Sequence, residues 1–131
     1  MSTLFTNARL FTAESEDIID HGVLLIEDGS VRFAGNAKEL KSSTLHVIDL
    51  GGKFLMPGMT EPHAHLSFDD SSPFSIGDSS VEQATITAVG NARLMLNAGF
   101  TSAVSFGSTY AIDVALRNAI NTGKIRGPRL M

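Results

Sequence analysis

The side chains best suited to chemistry are His63 and His65, which stand two apart in Pro57-Gly58-Met59-Thr60-Glu61-Pro62-His63-Ala64-His65-Leu66. On a β-strand, side chains two apart leave the same face with their backbones roughly 6.6 Å apart. Zinc–nitrogen bonds of about 2.0 to 2.1 Å let two such imidazoles tilt inward onto one ion. Glu61 lies on the same face, one step deeper. A bare His-x-His is ordinarily a pair of solvated side chains, but here it follows an apolar run broken by Pro57-Gly58 and precedes a polar loop, Ser67 to Ser72. That is where a buried strand ends, and ligation of a divalent metal, zinc, by His63 and His65 is the expectation.

Other polar clusters weigh less. Asp69-Asp70 follows the histidine strand and reads as a solvated loop. Gly107-Ser108-Thr109 could offer N–H groups to an anion, yet one glycine before a helix is a weak phosphate signal, and the segment reads as an ordinary turn. His21, at a turn, and His46, at a strand start, read as solvated.

The histidines must be positioned by the elements around them. Residues 1–57 read as short strands, Leu4 to Thr12, Val23 to Glu27, Ser30 to Ala34 and His46 to Leu50. Asp28-Gly29 has the chemistry of a two-residue hairpin turn between two of them. Asn36 to Leu40 reads as one helical turn. After residue 57 the pattern becomes strand then helix, repeated, which indicates a parallel sheet. Asp78, Ser79 and Ser80 offer N-caps, Ser79-x-x-Glu82 has capping-box spacing, and a helix is expected over 80–98 with an apolar stripe of Val81, Ala84, Ala88, Ala92, Met95 and Leu96 ended by Gly99. A second strand is expected over 101–106 and a second amphipathic helix from Tyr110 to Thr122.

Composition excludes several classes. With 131 residues, 43% hydrophobic and 18% charged, the chain is globular. A net charge of -4 with scattered basic residues argues against a nucleic-acid partner. The absence of cysteine removes disulfides and thiolate zinc sites. No segment reads as a signal peptide or membrane span, so a cytoplasmic protein with no membrane partner is expected.

The segment Leu55 to Leu66 resembles the first barrel strand of the amidohydrolase superfamily of metal-dependent hydrolases, nearest the imidazolonepropionase-like and prolidase-like branches. Ile48-Asp49-Leu50-Gly51-Gly52-Lys53 before it, and Gly99-Phe100-Thr101-Ser102 and Gly127-Pro128-Arg129 after it, resemble the family too. The resemblance implies an α/β fold, with residues 1–57 a β-sandwich segment and 58–131 the first βα units of an incomplete (β/α)8 barrel. It implies His63 and His65 as the first two metal ligands, a divalent metal such as zinc, and hydrolysis of C–N bonds in small amides or dipeptides by metal-activated water. The chain has Glu61 where the family usually has Asp, and Val104-Ser105 where an Arg-Asp pair often stands. Such a barrel takes about 250 residues, so the expectation is an N-terminal part, inactive alone and open to oligomerisation through a sheet edge left bare beside strand 101–106. A non-catalytic binding module derived from the same segment is the alternative.

Overall fold

The computed structural model describes residues 2–40, 46–70 and 78–131. Ser71 and Ser72 of the expected polar loop lie outside them. The chain divides into two compact units, Met1–Pro57 and Gly58–Met131.

The first unit holds β1 (Ser2–Leu10), β2 (Ile19–Glu27), β3 (Ser30–Asn36), β4 (His46–Asp49) and β5 (Phe54–Leu55). They form one sheet in the order β3-β2-β1-β4, with β5 also pairing β1. β1 is antiparallel to β2 and parallel to β4 and β5. Asp28 and Gly29 form the hairpin tip, with φ of 49° and 75° and Glu27 facing Ser30. Positive φ at both positions is the mark of the type I′ turn, whose twist matches that of the strands. Ala8, Leu10, Val23 and Leu25 bury the inner face at two-residue spacing. Among the described residues this segment contributes one sheet, because β4 and β5 both pair β1.

The second unit holds β6 (Met59–Ala64), α1 (Val81–Asn97), β7 (Phe100–Ser105), α2 (Ile112–Asn121) and β8 (Arg129–Leu130). The strands form an open parallel sheet in the order β6-β7-β8. Strand β7 is therefore central, and β8 covers the edge that the sequence left bare. Among the described residues, the open edges are those of β6 and β8. The core joins Ala64, Leu66, Ala103 and Leu130 to Ala84, Ala88 and Ala92 of α1 and to Ile112 and Leu116 of α2. Alanines at four-residue spacing form one helical stripe small enough to bring α1 close to its neighbours. Val81, placed on that stripe by its spacing, is 42% exposed at the helix start.

Helix α1 is capped by Ser80, whose hydroxyl accepts from the Gln83 N–H at 3.3 Å, so the cap lies one residue later than the Ser79-x-x-Glu82 spacing implied. Ahead of α2, Thr109–Ala111 form a single 3-10 turn, so the α-helix begins at Ile112. Ala37–Glu39 form the helical turn expected near Asn36, whose side chain caps it.

Gly58 opens the second unit against β7. A Cβ there would meet the whole Thr101 side chain, with Thr101 Cβ itself at 2.7 Å. That atom cannot rotate away, so the strands must separate to accommodate it. Gly58→Ala is expected to destabilise the protein by about 1–3 kcal/mol in denaturant melts. The added change Thr101→Gly should recover much of the loss.

Candidate metal centre

Strand β6 does not run regularly to its end. Glu61 pairs with Ala103 and Ala64 with Ser105, so three steps on β6 match two on β7 and one extra residue is accommodated. Such bulges re-aim side chains and recur beside functional sites. The extra residue falls where the ladder is already weakened, because Pro62 has no N–H. The neighbouring His63 N–H is satisfied locally, donating to Glu61 Oε1 at 3.0 Å. The Glu61 carboxylate thus serves its own strand's backbone.

The result is convergence of the two rings. His63 Nε2 and His65 Nε2 lie 3.2 Å apart, with ring centroids at 5.1 Å and planes at 64°. Both side chains are exposed, at the C-terminal end of β6 between buried Ala64 and Leu66. His65 Nδ1 lies 3.1 Å from the Gly107 carbonyl oxygen. A carbonyl only accepts, so His65 Nδ1 is the donor, and the tautomer this selects leaves the lone pair on Nε2. His63 stacks on Phe106 at 4.1 Å and 8°. His65 stacks on Phe68 at 5.1 Å and 16°.

These residues fit a divalent metal. Two nitrogens 3.2 Å apart, each with a zinc–nitrogen bond of about 2.0 to 2.1 Å, subtend about 100 to 106° at the ion, close to tetrahedral. In the metal-free ring pair the same spacing suits a hydrogen bond from His63 Nε2–H to His65 Nε2. Among the described residues no group of three or more His, Cys, Asp or Glu side chains is placed to hold a metal.

Two loops support the rings. Asn91 of α1 donates through Nδ2 to the Leu66 carbonyl at 2.9 Å and the Phe68 carbonyl at 2.8 Å, fixing the turn that carries Phe68. After β7, Asp113 grips both ends of the next loop. Ser108 donates to Oδ1 at 2.7 Å and Ser105 to Oδ2 at 2.9 Å, while the Asp113 N–H returns to Ser108 Oγ at 3.0 Å. Tyr110 and Ala111 between them sit in the left-handed region, at φ 58° and 54°. That conformation costs about 1–3 kcal/mol per residue and persists only where surroundings enforce it. The Ser108 hydroxyl above all holds the Asp113 carboxyl below the usual carboxylate range, with burial opposing it and Ser105 and the Val114 N–H adding to it.

The sequence reading picked out the histidines and missed their supports. Gly107-Ser108-Thr109, read as an ordinary turn, supplies the carbonyl that orients His65 and the hydroxyl that binds Asp113. The signal available was Ser108 followed five residues later by Asp113 at a helix start, but nothing local tied it to a histidine 42 positions earlier. Asp69 and Asp70 are exposed. His21, also exposed, donates from Nδ1 to Asn7 Oδ1 at 3.1 Å, and the Asn7 amide donates to Asp49 at 3.1 Å. The Gly51 N–H and then Asn7 hold Asp49 below its ordinary range. These contacts brace the first sheet. A cleft of about 430 Å³ in that unit is walled mainly by apolar groups such as Leu10, Phe11, Leu24, Phe33 and Leu55, and brings no such pair of ligands together.

No family model matches the chain. Over 85 residues, 54% of its length, the chain is 38% identical to the imidazolonepropionase of Bacillus cereus, covering 20% of that protein. It aligns over 99% of its length with 30% of a crystallised amidohydrolase, at 32% identity and a TM-score of 0.81. It aligns along its whole length with 32% of a Xaa-Pro dipeptidase that holds methionine in its active site, at 23% identity and a TM-score of 0.86, a likeness of fold. The chain thus spans about a fifth of the curated relatives it matches and under a third of these solved ones. No helix among the described residues is long and apolar enough to cross a membrane.

The Asp113 pKa gives a test of its clamp. A carboxyl whose pKa is lower folded than unfolded adds stability above the unfolded value, and that stability fades as pH falls through the folded one. Asp113→Asn should therefore cost about 1–3 kcal/mol at pH 7. The gap from wild type should hold down to about pH 5 and close as pH drops below the unfolded value of 3.8, as read by urea melts across pH.

Proposed function

Because this chain belongs to the amidohydrolase superfamily and corresponds to the N-terminal portion of its members, we propose that it carries the first two metal ligands, His63 and His65, of a hydrolase acting on C–N bonds. The substrate is a small amide or dipeptide and the metal is zinc. The three-stranded sheet is the opening part of a (β/α)8 barrel, and the remaining ligands and the general base come from residues outside those described. The observation that carries this reading is the approach of the two Nε2 atoms to 3.2 Å at the C-terminal edge of a parallel sheet. That edge is where barrels of this kind place their chemistry.

When bound, a divalent ion supplies a hydroxide near neutral pH and polarises the substrate carbonyl. The residues of this chain prepare that site. His63 and His65 bring two Nε2 atoms to one point, where His63 would give up its Nε2 proton to a ligating role, and the Gly107 carbonyl keeps the His65 lone pair on Nε2 by accepting from Nδ1–H. Phe68 stacks on His65 and Phe106 on His63, each limiting the rotation of its ring. Phe106, 57% exposed, also offers an apolar surface beside the site for a substrate side chain.

The test is metal content and hydrolysis in the full-length protein. Wild type should retain stoichiometric zinc and hydrolyse members of a panel of cyclic amides and dipeptides. His63→Ala and His65→Ala should each weaken zinc binding by about a hundredfold or more and abolish turnover. Zinc binding unchanged in both variants would overturn the reading. A metal-dependent protein that turns over no amide would favour the binding-module alternative.

A further inference from the structure

We propose that Asp113 is a positioning residue for the histidine pair, acting through the loop 105–108. Its bearing on metal affinity rests on the reading of His63 and His65 as ligands; its bearing on ring orientation does not.

The loop touches both rings. Phe106 lies flat against His63 at 4.1 Å, and the Gly107 carbonyl oxygen accepts from His65 Nδ1–H, 3.1 Å from the nitrogen. Neither contact can be made by a loop free to move. On one side the loop is anchored by the ladder, where the Phe106 N–H donates to the Ala64 carbonyl at 3.0 Å and the Ser105 N–H to the Met131 carbonyl at 2.8 Å. On the other side it runs into Tyr110 and Ala111, both left-handed, a conformation with no preference of its own for holding the loop in place.

The Asp113 carboxylate closes that gap. One oxygen takes the hydroxyl of Ser105, before Phe106, and the other takes the hydroxyl of Ser108, after Gly107. The two residues between these anchors are the two that touch the histidines. Asp113 itself is fixed as part of the first turn of α2, with its Oδ1 also accepting from the Val114 N–H at 2.9 Å, and α2 is seated in the core by Ile112 and Leu116. A rigid helix thus sets the position of a carbonyl that sets the tautomer of His65. Carboxylates usually orient ligating histidines by direct contact; here the carboxylate works one step further out, through backbone.

The experiment uses the full-length protein labelled with 15N at histidine, with nitrogen chemical shifts read first without metal. Wild type should show His65 protonated at Nδ1 and bare at Nε2. Asp113→Ala should shift it toward the opposite tautomer or a mixture, and Asp113→Asn, whose amide accepts from one serine and donates to the other, should restore part of the signal. Ser105→Ala, which removes one serine from the Asp113 carboxylate together with the longer 3.4 Å bond that the Ser105 hydroxyl accepts from the Gly107 N–H, keeps the test available if Asp113→Ala folds poorly. Ile120→Ala, which loosens α2 without touching the loop, should lower the melting temperature and leave the tautomer unchanged. In zinc titrations the Asp113 and Ser105 variants should then bind about 10- to 100-fold more weakly. If His65 keeps its Nδ1 proton in Asp113→Ala and Ser105→Ala alike, or changes equally in Ile120→Ala, the proposal is overturned. Should wild type bind no zinc through His63 and His65, the ligand assignment fails, while the metal-free tautomer still decides the role of Asp113.

Discussion

Holding two imidazole nitrogens 3.2 Å apart on one strand is a demand that regular β geometry does not meet unaided. Ladder spacing leaves the backbones of alternate residues roughly 6.6 Å apart with side chains standing parallel, so the rings must lean together and be kept from falling back. The extra residue accommodated between Glu61 and Ala64 supplies the lean. It also frees the His63 N–H from the ladder, and Glu61 takes that hydrogen bond. Pro62 is then at no disadvantage, because it occupies a position where no ladder donor is required. The proline, the glutamate and the histidine spacing are three consequences of one local distortion.

Keeping the rings in place falls to the neighbouring loops, and these are held from behind by α1 and α2. Asn91 ties down the turn carrying Phe68, and Asp113 the loop carrying Phe106 and Gly107. Both helices are anchored by small or branched apolar residues in the same core as β6 and β7, so the ring supports and the strand share one anchorage. The left-handed pair Tyr110-Ala111 shows that this arrangement carries a cost in stability. Four hydrogen bonds made by Asp113 offset it, three of them to a charged acceptor.

What could be read in the chain itself was whatever rests on local pattern. Strand alternation, the Asp28-Gly29 turn, the helix stripe of Ala84, Ala88 and Ala92, and the His-x-His spacing each depend on residues within a few positions of one another. What could not be read depends on pairing at a distance. The single first sheet arises because β4 and β5 both join β1, and no periodicity states which edge a strand will choose. The covering of β7 by a two-residue β8 has the same origin. Capping slipped by one residue because Ser79 and Ser80 offer equivalent hydroxyls and only the backbone angle at the helix entry chooses between them. The ring supports were hidden because Phe106 and Gly107 look like the end of a strand and the start of a turn until His63 and His65 are placed beside them.

The nature of the partner on His65 has a chemical consequence. A carboxylate hydrogen-bonded to a ligating histidine draws on its proton and raises the basicity of the opposite nitrogen, whereas a neutral backbone carbonyl does so less and adds no negative charge. Here the only carboxylate on the strand beside the rings, Glu61, is occupied with its own backbone, and the orienting group is the Gly107 carbonyl. The site gains direction without gaining charge, so the positive charge of a bound ion would be less neutralised by its immediate support. The direction of His65 then depends on where a main-chain oxygen sits, and that position is set by serine hydroxyls and a buttressing aspartate at the start of α2.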